Sequence, residues 1–440
     1  MNHWCLIKRL GVVLSLASLA GSPPARAETG FTSLFDGISL NGWTVVGKPG
    51  AGYAVKDGTL ICPPECQANC LTEKEFSDFA FRFEFKLTPG ANNGIAIRAP
   101  LEGNATALGM EIQILDDPDP QYAGLEPYQY HGSVYGIAPA RRGALKKTGE
   151  WNSEEILAQG RHIRVTLNDT VIVDTDLNNV RNPAVLRAHP GLLSAKGHIG
   201  FLGHTARTEF RNLRIKELSP QPQRDNDPPS GFVALYNGKD LTGWKGLLAR
   251  PNDNPIKRAA LSAQDRAKLQ AEADQRMRDH WRSESGALVF DGKGDSLCTW
   301  REDYGDFEMW VDWKIPAKGD SGIYLRGSPQ VQIWDTNTDG QFTPPVGSGG
   351  LYNNEKNPSN PLVFADEPVD HWNRFRILMV GDKVHVYLND RLVVNDTTFE
   401  NYWDRTQPIF PLGQIELQNH GNTLYFKNIY IREIRRSPSL

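Results

Sequence analysis

FAFRFEFKL, residues 79 to 87, carries an apolar side chain at every odd position, with Arg82, Glu84 and Lys86 between them. A period of two is that of a strand with one buried face, and it is incompatible with the 3.6-residue period of a helix. FEMWVDWKI, residues 307 to 315, repeats the pattern. Further short alternating runs follow the first at Gly94 to Arg98, Met110 to Leu115, Arg161 to Leu167, Gly197 to Leu202 and Phe210 to Leu218, each bounded by Gly, Pro or Asn clusters. Many short strands between such turn signals predict an all-β chain of antiparallel, jelly-roll sandwiches.

The two alternating runs belong to a tandem repeat. FTSLFDGISLNGW at 31 to 43 is echoed by FVALYNGKDLTGW at 232 to 244, and FRNLRIKEL ending at Leu218 by FKNIYIREI ending at Ile434. NGIAIR and SGIYLR, EIQIL and QVQIW, EWN and HWN, and LND in both recur in one order between them. Shared order over about 200 residues marks two copies of one domain, each large enough for its own core. Residues 28 to 218 form the first and 231 to 440 the second. SPQPQRDNDPPS, 219 to 230, reads as the linker because four prolines and almost no apolar content leave it nothing to bury. The second copy alone carries Asn254 to Arg282, where Ser262 and Asp265 form a capping signal. One helix of about four turns is predicted from Ala263 to Trp281. Such a helix flanks a site or covers a sheet edge.

The net charge of −4 provides no basic stripe, so a nucleic-acid partner is excluded. Residues 1 to 27 place Lys8 and Arg9 before a short apolar run and end in Ala25-Arg26-Ala27, the pattern of a secretory signal peptide cleaved near Ala27. A secreted or periplasmic protein without membrane insertion is expected, with a disulfide among Cys62, Cys66 and Cys70.

Strand alternation throws Glu111 and Gln113 to one face of GMEIQILDD while Ile112 and Ile114 enter the core, and Arg98 and Asp116 flank that face. The second copy offers Arg326, Gln332 and Asp335 in the matching places, and Glu416, Gln418 and His420 along QIELQNH. Where the second copy has Glu416, the first keeps only His198 and His204 on the face. YQYHGSVYG, 128 to 136, adds His131 and Tyr135, and GSGGLY adds Tyr352. Aromatic rings beside hydrogen-bonding side chains suit a pyranose, whose C–H faces stack and whose hydroxyls need partners. Glu111-x-Gln113-x-x-Asp116 is similar to the paired-carboxylate strand of laminarinase-type retaining glycosidases. Yet the middle acid is Gln113, and Gln330 stands at the Glu111 position of the second copy.

NGIAIR, GMEIQILDD, YQYHGSVYG, GEWN, LND and GHIGFLGH, with their second-copy counterparts, resemble the 3-keto-disaccharide hydrolase domain in two branches. The resemblance implies a concanavalin A-like jelly roll in each copy, with the helical insertion in the second. It also implies cleavage of a glycosidic bond in a sugar oxidised at C3. A C3 ketone acidifies the C2 proton, so one base suffices for β-elimination, followed by hydration of the enone. Glu111 or His131 is then the base of the first copy, with Arg98, Gln113, Asp116, Tyr135 and His204 around the sugar. Glu416 or His420 is the base of the second, with Arg326, Gln332, Asp335, Tyr352 and Gln418. Two alternatives stay open: a non-catalytic glycan-binding protein and a classical retaining glycosidase. The resemblance allows a divalent metal, but no ligand set in the sequence identifies one. The sequence also leaves the oligomeric state open.

Overall fold

A computed structural model describes residues 30–47, 52–64, 66–204, 206–219, 223–338, 340 and 342–434. The signal-peptide reading of residues 1 to 27 therefore lies outside the described residues.

Each copy is a sandwich of two antiparallel sheets, one of eight strands and one of five. In the first copy, Phe79–Leu87 lies between Trp151–Gln159 and Thr208–Glu217 in the larger sheet. The smaller sheet runs Trp43–Gly47, Ala68–Thr72, His198–Leu202, Asn92–Ala99, Met110–Leu115. The second copy repeats this order as Trp244–Gly246, Leu297–Thr299, Glu416–Leu417, Asp320–Leu325, Ser328–Trp334. Phe79, Phe81, Phe83 and Phe85 fill the space between the first pair of sheets. The intervening charges pair across strands on the outer face, Lys86 with Glu209 at 2.6 Å and Arg211 with Glu84 at 2.7 Å.

Phe307–Lys314 departs from the one-buried-face pattern. Its even positions Glu308, Trp310 and Asp312 are buried too. The cause is tertiary: the first copy packs against this outer face at Glu308, with Leu177, Leu192 and Leu193 in one apolar cluster with Leu378, Val380, Tyr387 and Ile434, while Phe232 packs on Trp310, and Arg374 and Asn428 hold Asp312. Glu308 sits at the centre of the contact. Arg161 of the first copy meets both of its oxygens, at 3.0 and 3.3 Å, Trp310 Nε1 donates at 2.9 Å, and Arg432 closes a further charged hydrogen bond. Arg432 also donates to the carbonyls of Asn178 and Val180 at 2.8 Å each. Burial alone would raise the Glu308 carboxyl, but Arg161 and Arg432 outweigh it and hold the group below its ordinary value.

Residues 223 to 230 of the linker are not a free spacer. Asn226 exchanges hydrogen bonds of 2.6 and 2.9 Å with Asn428 and donates to the carbonyl of Gly286, which docks this stretch on the second sandwich. The inserted helix forms as Ala263–His280, capped by Ser262 accepting from the Asp265 amide at 3.1 Å. Its buried Ala273 and Met277 cover the sheet edge at Trp244–Gly246; a Cβ on Gly246 would lie 2.2 Å from the Ala273 carbonyl. A second short helix, Pro255–Ala259, precedes it and reaches the polar face of the smaller sheet.

The expected disulfide is not formed. Cys62, Cys66 and Cys70 are buried thiols, as is Cys298. Cys62 ends a strand of the larger sheet while Cys70 lies within the smaller one, and both side chains serve as core packing. Burial pushes both thiols up to about 12.

Candidate active site

The polar face foreseen on the EIQIL strand is the outer face of the five-stranded sheet. Pairing sets Gln113 opposite Gly94 and Glu111 opposite Ala96, with Gly200 next in that row. In the second copy Gln332 faces Gly322, while Tyr324, Glu416 and Cys298 form the equivalent row. Glu416 thus replaces Gly200. The carboxylate has moved two strands, about 10 Å at ordinary strand spacing.

In the first copy Glu111, Gln113, Tyr135 and His204 line one cavity of 310 Å³, together with Asn92, Thr106 and Gln129. Thr106 donates to Glu111 Oε2 at 2.7 Å, which leaves Oε1 without a partner among the described residues. Thr106 is positioned by a four-residue helix, Ala105–Leu108, whose cap Asn104 accepts from the Thr106 and Ala107 amides at 3.0 and 3.2 Å. Burial lifts the Glu111 carboxyl to about 7, against the opposing pull of the Thr106 hydroxyl. Gln113 donates to Asn92 at 3.1 Å, and its Oε1 is buried and unpartnered. Gln129 donates to the Tyr135 hydroxyl at 3.0 Å, which leaves the phenolic proton available to a ligand. Burial lowers the His204 imidazole, so the ring is neutral near pH 7. Asn92, Asn104, Thr106 and Gln129 were not singled out in the sequence.

Five of the expected site residues, three in the first copy and two in the second, brace the fold. Arg98 donates to the Ser77 and Gly160 carbonyls at 3.0 and 2.6 Å and to Asp78 at 3.2 Å, so its guanidinium pins loops away from the cavity. Arg326 makes the matching bonds in the second copy, with the carbonyls of Gly305 and Gly381 and with Asp306, each at 2.8 Å, and it also lines a cavity of that copy. Asp116 accepts from the Gly90 amide at 2.9 Å, and Asp335 from the matching Lys318 amide at 2.8 Å, so both brace a turn between strands. His131 is no surface base. It is 2% exposed, its Nδ1 accepts from the Leu115 amide at 3.2 Å, and its Nε2 lies 3.0 Å from Glu154.

The second copy holds its carboxylate differently. Glu416 is 1% exposed, accepts from Gln414 at 2.6 Å, lies 3.8 Å from Arg258 of the inserted segment, and leaves Oε2 buried and unpartnered. Burial raises it to about 7, with Arg258 opposing. A cavity of 430 Å³ opens beside it, lined by Pro255, Arg258, Arg266, Glu302 and Gln414, but not by Glu416 itself. Gln332 donates to Asp320 at 2.8 Å, and Gln418 Oε1 is buried and unpartnered. His420 is exposed, 3.6 Å from Asp320, and Tyr352 is exposed beside Trp334. Neither touches Glu416.

The same domain model, described as a 3-keto-alpha-glucoside-1,2-lyase-like domain, matches residues 30–216 and again 231–432. The chain belongs to this family. A 3-keto-disaccharide hydrolase of Bacteroides thetaiotaomicron is 26% identical over 229 residues, covering 43% of this chain and 79% of that protein. A candidate glycosyl hydrolase of Parabacteroides distasonis, known from a crystal structure, is 26% identical over 43% of this chain and 99% of its own, with a TM-score of 0.39. A second from that organism is 23% identical over 43% and 94%, with a TM-score of 0.38.

Among the described residues no group of three or more His, Cys, Asp and Glu side chains is arranged to hold a metal. Glu111 and His204 are the only such residues lining the first-copy cavity.

The glycine shared by NGIAIR and SGIYLR has a local reason at Gly94. A Cβ there would lie 2.1 Å from Glu111 Oε1, so the carboxylate rests directly over the bare backbone. Gly94→Ala is expected to swing Glu111 out of place and remove most activity, while the thermal midpoint changes little. Activity and melting measurements on the same preparation check this; an alanine variant with full activity would show that the carboxylate position is unimportant.

Proposed function

We propose that the first copy cleaves the glycosidic bond of 3-keto-glycosides by elimination and hydration, with Glu111 as the base. Glu111 Oε1 takes the C2 proton, made acidic by the C3 ketone. The electron pair becomes the C1–C2 double bond as the C1–O bond to the aglycone breaks, and that oxygen gains a proton. Water then adds across the enone, its hydroxyl at C1 and a proton at C2 delivered by Glu111 after exchange with solvent, and its second proton replaces the one given to the leaving oxygen. Gln113, Tyr135 and neutral His204 are the groups placed to contact the keto and leaving oxygens. One observation supports this reading above the others: the cavity has a single carboxylate, raised to about 7 and with one oxygen free. A retaining glycosidase needs a second carboxyl about 5 Å away, and Gln113 occupies the adjacent place on the face.

The proposed place of action is the periplasm or the cell exterior, on the leader-like sequence of residues 1 to 27.

The test uses the whole chain, because Glu308 and its arginines join the halves. It is assayed on 3-keto-trehalose and 3-keto-lactose beside the unoxidised sugars, in D2O, with mass spectrometry. Turnover of the keto sugars alone, with deuterium at C2, is the expected result. The base must be ionised, so kcat/KM should fall about tenfold per pH unit below pH 7 and level off above it. Cleavage of unoxidised sugar would transfer the case to a glycosidase, and binding without turnover to a lectin.

A further inference from the structure

The second copy contains a cavity beside Trp313 and Asp366, where the first copy has Phe85 and Leu145. In the first copy the His131 ring lies 5.1 Å from the Phe85 ring and is clamped between the Leu115 amide and Glu154. In the second, Trp334 stands at the Leu115 position and its amide donates instead to the hydroxyl of Ser348, at 3.1 Å. The equivalence is fixed by the next residues: the Gly132 amide donates to the Gln113 carbonyl at 2.7 Å, and the Gly349 amide to the Gln332 carbonyl at 2.8 Å. Trp313 replaces Phe85, Phe375 replaces Glu154, and Asp366 replaces Leu145. A cavity of 230 Å³ lies beside these replacements, lined by Trp313, Trp334, Thr336, Phe364, Asp366 and His371.

Its lining is that of a ligand site. Trp313 is 1% exposed, and its indole N–H has no hydrogen-bond partner among the described residues. A buried donor without an acceptor costs about 1–3 kcal/mol, so it marks a place where an acceptor from outside is favoured. Asp366 is held facing the cavity by the Ser348 amide, 2.9 Å from one oxygen and 3.2 Å from the other, and it still has lone pairs to accept from hydroxyl groups. Phe364 is 46% exposed at the rim, and Trp334 stacks edge-on with exposed Tyr352 at 5.2 Å. Donor, acceptor and aromatic faces within a space smaller than the roughly 300 Å³ of a typical drug-sized pocket match one sugar ring.

We infer that this cavity of the second copy is a carbohydrate-binding site for a single pyranose unit, separate from Glu111 and Glu416. It holds the ring by the Trp313 indole N–H, the Asp366 carboxylate and the aromatic rim. The site does not depend on the chemistry proposed for the first copy.

The test is a two-dimensional 15N NMR titration of tryptophan indoles in the whole chain carrying Glu111→Gln, with D-glucose and methyl α-D-glucopyranoside as probes. Trp313→Phe assigns the Trp313 signal by its disappearance. Saturable movement of that signal is expected. Asp366→Ala, which needs no new packing, is expected to weaken binding by about tenfold or more. A Trp313 signal that stays still at saturating sugar, or that titrates with unchanged affinity in Asp366→Ala, would overturn the assignment. Because the titration reads binding in a chain lacking its proposed base, failure here and failure of the elimination reading are distinguishable.

Discussion

Glu111→Gln lowers kcat/KM on 3-keto sugars by about 10²- to 10⁴-fold, the range over which a positioned base contributes, and Glu416→Gln leaves most of it. The two carboxyls lie on the same face of equivalent sheets in the two copies and are both raised to about 7, so their surroundings separate them. Glu111 lines an open cavity with one oxygen unpartnered, whereas Glu416 is sealed beneath Gln414 and Arg258 and lines no such space. Glutamine preserves the size of Glu111 and can still accept from Thr106, so the fold should be untouched while proton abstraction is lost. Steady-state kinetics of the two variants on one keto sugar decide the matter. Loss in Glu416→Gln with retention in Glu111→Gln would move the active site to the second copy.

Glu308→Ala destabilises the protein by about 3–5 kcal/mol, the usual cost of removing one partner from a buried ion pair. Glu308 is fully buried, and its removal leaves Arg161 and Arg432 facing each other without a counter-charge, with the Trp310 indole N–H unpaired. The arginines come from different copies, so the damage falls on the joint between them. Urea unfolding followed by tryptophan fluorescence should show a lower midpoint, with a first transition that separates the halves. A change below about 1 kcal/mol would mean that the two sandwiches do not rely on this contact.

Some of this was legible in the sequence. Period-two runs require a strand because successive side chains on a pleated backbone point to opposite sides. Glu111 and Gln113 were therefore on a common face before any coordinates existed, and the Ser262 cap placed the inserted helix start at Ala263. Arg98, Asp116 and His131 were misread for one reason. Polar type and position in a strand resemble a binding site until the partners are known, and those partners come from 20 or more residues away in most cases, as with Asp78 and Gly160 for Arg98 or Glu154 for His131. Burial of the even positions of Phe307–Lys314 was equally out of reach, since it follows from docking of the other copy on Glu308 and from packing by residues far along the chain on Trp310 and Asp312.

The sequence by itself determined the repeat, the sheet-forming strands, the side each residue faces and the family, because these depend on local alternation and ordered motifs. Only the tertiary structure decided which polar residues converge on a cavity, which are consumed in bracing loops, and which copy keeps its carboxylate open. Those outcomes depend on distances between segments far apart in the chain: Thr106 against Glu111 on one sandwich, Arg258 over Glu416 on the other. Through-space packing sets hydration and partners, and hydration and partners set what a carboxylate can do.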